Sequence, residues 1–158
     1  ICKHAKFISS KIFRVIAMSK VSGTHFNEAI VTELTWGSAL GVRLDEISHG
    51  HAIMRLPCDE RSPRPGGTIA DPHMMLLADA CMFAVVLSMV GDVRLAVTTN
   101  LNINFLRKPS QSDLIGTGNI IKLGKRLAVV EVDVTEESTG KRVAHVTGTY
   151  SIPPSSDE

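Results

Sequence analysis

From Pro72 to Val90 the chain is apolar almost all the way round a helix. Met74, Met75, Leu76, Leu77 and Ala78 precede one acid, Asp79, and Ala80, Cys81, Met82, Phe83, Ala84, Val85, Val86 and Leu87 come after it. Pro72 suits a helix start, and Gly91 suits its end. A helix without a polar face is either enclosed by a core or spans a membrane. This one is at the short limit for a bilayer and carries Asp79, which is costly at that depth. The chain beyond Thr98 reads as sheet, so the stretch is expected to be a central helix that a sheet must cover.

The rest of the pattern supplies that sheet. Thr99, Leu101, Ile103 and Phe105 alternate with Thr98, Asn100, Asn102 and Asn104, a two-residue period with one apolar face. Leu114–Leu123, Leu127–Thr135 and Arg142–Ile152 are expected strands. Ala128, Val130, Val132 and Val134 form one inward face, and Ala144, Val146, Gly148, Tyr150 and Ile152 another. Upstream, Thr24–Leu34 reads as a short helix capped by Thr24. Leu40–Ile47 and Ala52–Leu56 read as a hairpin turning at Ser48–His51, and Pro57–Gly67 reads as loop. The expected class is α+β, an antiparallel sheet of about five or six strands wrapped around one long central helix, in a single domain over 18–158.

Composition narrows the function classes. With 44% hydrophobic residues and a net charge of +1, the chain fits neither a disordered protein nor a generic nucleic-acid binder. Three cysteines, an odd number without C-x-x-C spacing, argue against a disulfide scaffold and a structural zinc site, and no metal is expected. Residues 1–17 hold Lys3, Lys6, Lys11 and Arg14 and no acid, with Phe7, Ile8, Ile12, Val15 and Ile16 between them. They read as a basic amphipathic leader, or as a tail preceding a start-like Met18. No secretory signal is recognisable there, so a cytoplasmic protein with no membrane partner is expected.

Asp79 is the residue that requires a chemical explanation. Removing a carboxylate from water is expensive unless it is paired or has a task. Either it is a satisfied core Asp, or it acts as general base or nucleophile on a carbonyl.

The segment Gly66-Gly67-Thr68-Ile69-Ala70-Asp71-Pro72-His73-Met74-Met75-Leu76-Leu77-Ala78-Asp79-Ala80 resembles the start of the central helix in hotdog-fold thioesterases of the PaaI type, which read H-G-G-x-x-x-x-L-A-D. Val97–Arg107 resembles the family's next strand, and 123–132 with 143–150 resembles its last hairpin. The resemblance spans roughly residues 26 to 152 and implies a hotdog fold, a homodimer or homotetramer with active sites at subunit interfaces, and acyl-CoA thioester hydrolysis. Coenzyme A would enter as part of the substrate, with no separate cofactor.

Carried over by position, Asp79 falls on the catalytic carboxylate. The glycine whose amide polarises the thioester carbonyl falls on Asp71, the motif histidine on Ala70 and its second glycine on Pro72. Thr98 falls where the family has an assisting hydroxyl. Asn100 borders the expected pocket, and Arg107, Lys108, Lys125 and Arg126 are the candidates for coenzyme A phosphates. Asp71 also reads as the helix cap before Pro72. Two rivals stand beside this reading. One is a catalytically silent acyl-CoA-binding hotdog protein. The other is an enoyl-CoA hydratase-type enzyme using His73, His49 or His51 with Asp79.

Overall fold

A computed structural model describes residues 18–59, 63–64 and 67–154, apart from the side chains of 29–31 and 63–64. The basic segment 1–17 and Gly66 of the helix motif lie outside the described residues. The chain opens with α1 (Gly23–His25), which runs into a wider π-helical turn over Phe26–Val31, and then a short α2 (Thr35–Ala39). The cap is Ser22, whose hydroxyl accepts from the His25 amide, and not Thr24 as the pattern suggested. Then come β1 (Arg43–Ser48), β2 (His51–Leu56), β3 (Pro63–Arg64), β4 (Thr68–Ile69), α3 (Asp71–Val90), β5 (Val97–Phe105), β6 (Leu114–Leu123), β7 (Leu127–Glu136) and β8 (Arg142–Ser151). The expected 57–67 loop thus contains one strand of a two-residue ladder, Pro63–Arg64 against Thr68–Ile69.

Among the described residues the long strands form one antiparallel sheet in the order β1-β2-β6-β7-β8-β5. Its inner face encloses α3. Ala128, Val130, Val132 and Val134 of β7 are fully buried there, as are Leu77, Ala78, Cys81, Val85 and Val86 of the helix. Two glycines set how closely helix and sheet approach. A Cβ on Gly118 would fall 2.8 Å from the Val85 side chain and 2.9 Å from Cys81 Sγ, and one on Gly148 would fall 2.6 Å from Met82 Sδ. The helix packs chiefly on β2, β6 and β7 and least on β5.

The first turns close the far end of the core. Phe26 is fully buried with its ring 6.4 Å from Phe83, and the Asn27 side chain both donates to and accepts from the Leu44 backbone, at 3.0 and 2.8 Å. Strand β5, by contrast, is an outer strand of the sheet. Leu101 and Ile103 are half-buried, and Val97 and Phe105 are 57% and 47% exposed. The apolar face expected to be covered is left partly open within one chain.

Candidate active site

The open side of α3 is where Asp79 emerges. The carboxylate is half-buried rather than sealed in the core, and it lines a cavity of about 220 Å³ with Met75, Leu76, Thr98 and Leu101. Its Oδ1 accepts two hydroxyl hydrogen bonds, from Thr98 Oγ1 at 2.8 Å and from Tyr150 at 2.9 Å. The same phenol lies 3.2 Å from the Asp79 main-chain carbonyl. Burial pushes the Tyr150 phenol well above the usual tyrosine range, and the neighbouring Asp79 charge pushes it the same way. The phenol therefore stays protonated and donates.

Thr98 reaches Asp79 because β5 does not keep the simple alternation its sequence shows. Thr98 is in register with Tyr150, but the next partnered residue is Asn100, opposite Thr149, so Thr99 is an inserted residue. Such a bulge shifts the alternation by one. Thr98 thereby joins the inward face with Leu101 and Ile103, while Asn100, Asn102 and Asn104 register with Thr149, Thr147 and His145 of the outer face. The expectation that Thr98 and the three asparagines share a face is corrected by that bulge. Asn100 is on the opposite side of the sheet from the carboxylate.

Asp71 opens α3 as its first residue. The cap is Ala70, without a side-chain hydrogen bond, and Pro72 comes at the second position, so Asp71 is not the cap itself. Asp71 lines a second cavity of about 460 Å³ with Thr68, Met74, Phe105, Leu106, Arg107, Lys108 and Pro109. Asp79 comes eight positions after Asp71 in the helix, about 12 Å along the axis. Within one chain, the amide and the carboxylate do not meet on one carbonyl.

The four basic candidates divide in the same way. Arg107 and Lys108 stand at the Asp71 end of β5. Lys125 and Arg126 are in the β6–β7 turn, beyond the opposite end of that strand, since Leu127 and Val97 both register with Ser151. The length of β5 puts the two pairs roughly 25 Å apart. Histidines do not join Asp79 among the described residues. His49 is in the β1–β2 turn, His51 Nδ1 pairs with Asn119 Oδ1 at 2.9 Å, and His73 Nδ1 is buried with no partner among the described residues.

Comparison with known proteins agrees with this architecture. Residues 66–143 match the thioesterase superfamily. A Silicibacter sp. TM1040 protein named "putative thioesterase" is 38% identical, with 88% of this chain and 94% of that one covered and a TM-score of 0.74. The chain belongs to the thioesterase superfamily. Its fold is the hotdog fold of the PaaI type. The PaaI protein of E. coli superposes with a TM-score of 0.73 at 20% identity, covering 83% of this chain and 91% of that one. A Halobacterium salinarum protein named "putative esterase" is 30% identical over 102 residues, 61% of this chain and 67% of that protein. A hydrolase-type function follows for this thioesterase-superfamily chain.

Tyr150 is the member of the site that sequence reasoning passed over. It counts there as one more inward residue of the last strand. The signal that could have found it was chemical: the chain's one tyrosine points into an aliphatic core, and a buried phenol needs a hydrogen-bond partner.

Proposed function

We propose that this protein is an acyl-CoA thioesterase, cleaving an acyl-CoA to a carboxylic acid and free coenzyme A in the cytoplasm with no cofactor of its own. The observation that carries the reading is the Asp79 carboxylate, held by two hydroxyls at the wall of an apolar cavity in a thioesterase-superfamily hotdog fold. In the reaction proposed, Asp79 takes a proton from water as the water oxygen bonds to the thioester carbon. The C–S bond of the tetrahedral intermediate then breaks, and the proton passes to the departing thiolate. Arg107 and Lys108 attract the coenzyme A phosphates to the cavity at the start of α3.

The oxyanion donor comes from a second copy in this reading. Strand β5 runs antiparallel to α3, with Thr98 beside Asp79 and Phe105 near Asp71. Antiparallel pairing of two β5 strands about a two-fold axis brings the helix start of one copy toward the Asp79 of the other, where backbone N–H groups and the helix dipole meet the developing oxyanion. The outer position and part-open apolar face of β5 support such a homodimer.

Coenzyme A release measured over short, long and aromatic acyl-CoAs tests the reading. Turnover of at least one class, lost in Asp79→Asn, is expected. Tight binding of acyl-CoA without release would instead identify a silent acyl-CoA-binding protein. Single turnover in ¹⁸O-water places the label in the product acid if water attacks the thioester; label found in Asp79 would show that the carboxylate attacks and that water then cleaves the mixed anhydride at the aspartyl carbonyl.

A further inference from the structure

Both hydrogen bonds to the Asp79 side chain fall on the same oxygen. Thr98 and Tyr150 donate to Oδ1 from adjacent strands, at 2.8 and 2.9 Å, and no described residue pairs with Oδ2. Tyr150 is 3% exposed, and its ring stacks on Phe83 of α3 with centroids 6.1 Å apart. Phe83 is one helical turn after Asp79, so the helix that carries the carboxylate also braces the ring that holds it. The phenol further spans to the Asp79 carbonyl at 3.2 Å, tying side chain and helix backbone to one point.

We infer that Tyr150 is a positioning residue: with Thr98 it pins Oδ1 of Asp79 and leaves Oδ2 as the oxygen that works on water or on the thioester carbon. This rests on the thioesterase reading above and goes beyond it by naming the working oxygen. A carboxylate on a short stem rotates about its last bond, and in water neither oxygen is favoured. Two donors on one oxygen remove that freedom before substrate arrives, so the correct geometry costs no reordering during the reaction. No Lys, Arg or His pairs with Asp79 among the described residues, so hydroxyl dipoles alone orient it. Thr98 of β5 joins Tyr150 of β8 beside α3 because the bulge at Thr99 lets it share the inward face with Leu101 and Ile103.

Tyr150→Phe keeps the ring and its stacking while deleting the hydroxyl. The expected result is a fall in kcat of about tenfold with KM changed less than twofold and the melting temperature within a few degrees of wild type. A second series guards against a folding defect: Thr98→Ala should show a similar kcat loss, and Thr98→Ser should keep most of the activity. Asp79→Asn is measured in the same assay. If Asp79→Asn is inactive while Tyr150→Phe, or Thr98→Ala should Tyr150→Phe not fold, keeps wild-type kcat, the positioning role is overturned and the catalytic reading of Asp79 stands. If Asp79→Asn retains turnover, the catalytic reading itself fails, and this role with it.

Discussion

Helix α3 has two environments along its length, and they differ in what they demand of side chains. Toward β2, β6 and β7 the packing is closed. Leu77, Cys81 and Val85 are fully buried, and the absent side chains of Gly116 and Gly118 make room for them. Toward β5 the helix stands away from the sheet, leaving two cavities and a half-buried carboxylate. The closed side supplies stability through burial and complementary shape. The open side forgoes that burial and retains a site. The rigidity of the first is what allows the second to hold a carboxylate in one orientation.

The largest effect is expected on the open side. Asp79→Asn should lower thioester turnover by roughly 10²–10⁴ while far-UV circular dichroism and melting stay near wild type, since an amide cannot take a proton from water. Steady-state coenzyme A release checks it, and near-wild-type turnover in the purified variant would remove Asp79 from the chemistry. On the closed side, Leu77→Ala should cost about 2–5 kcal/mol in denaturant unfolding, because losing the fully buried side chain leaves a cavity against Gly116. If both substitutions moved stability and activity alike, the division between the two sides would be wrong.

Gly118→Ala sharpens the same comparison. Its new methyl group meets Val85 and Cys81 below 3.0 Å, and a loss of about 1–3 kcal/mol is expected in the same unfolding experiment. Leu101→Lys tests the open edge. It should shift the protein toward monomer in analytical ultracentrifugation, if a second copy pairs along β5. A dimer that persists with full activity would place the interface elsewhere. The smallest effect concerns Asp71. Asp71→Asn removes a negative charge from the cavity that holds Arg107 and Lys108, and from the helix end proposed to face the oxyanion. We expect kcat/KM to rise about two- to fivefold, with a stability loss of a few tenths of a kcal/mol from the weakened helix-dipole interaction. A clear drop in kcat/KM would mean that the carboxylate itself orders substrate or water.

The elements were legible where burial is set by a single repeating period. The largely apolar 72–90 stretch admitted one reading once sheet came after it, and the alternation in β7 and β8 matched the buried faces observed. The candidate site was legible in one residue, Asp79, because a lone acid in such a helix demands a reason. Its partners were less so. The alternation puts Thr98 on a face it does not occupy, since a bulge of one residue leaves no mark in a run of threonines and asparagines. Residue type favours Asp71 as the cap, whereas the break from extended to helical backbone falls at Ala70.

The sequence by itself thus determined the fold class, the central helix and the one carboxylate within it that needs partners, because hydrophobic periodicity and an unusual charge in an apolar helix are local properties of the chain. Only the tertiary structure decided which groups hold that carboxylate. Tyr150 lies 71 positions from Asp79 and Thr98 lies 19 away. Their hydroxyls converge on one oxygen through strand register, a single bulge and the stacking of Tyr150 on Phe83. Such convergence depends on distances across the sheet, and those are set by how the strands pair and the helix packs, which no local pattern encodes.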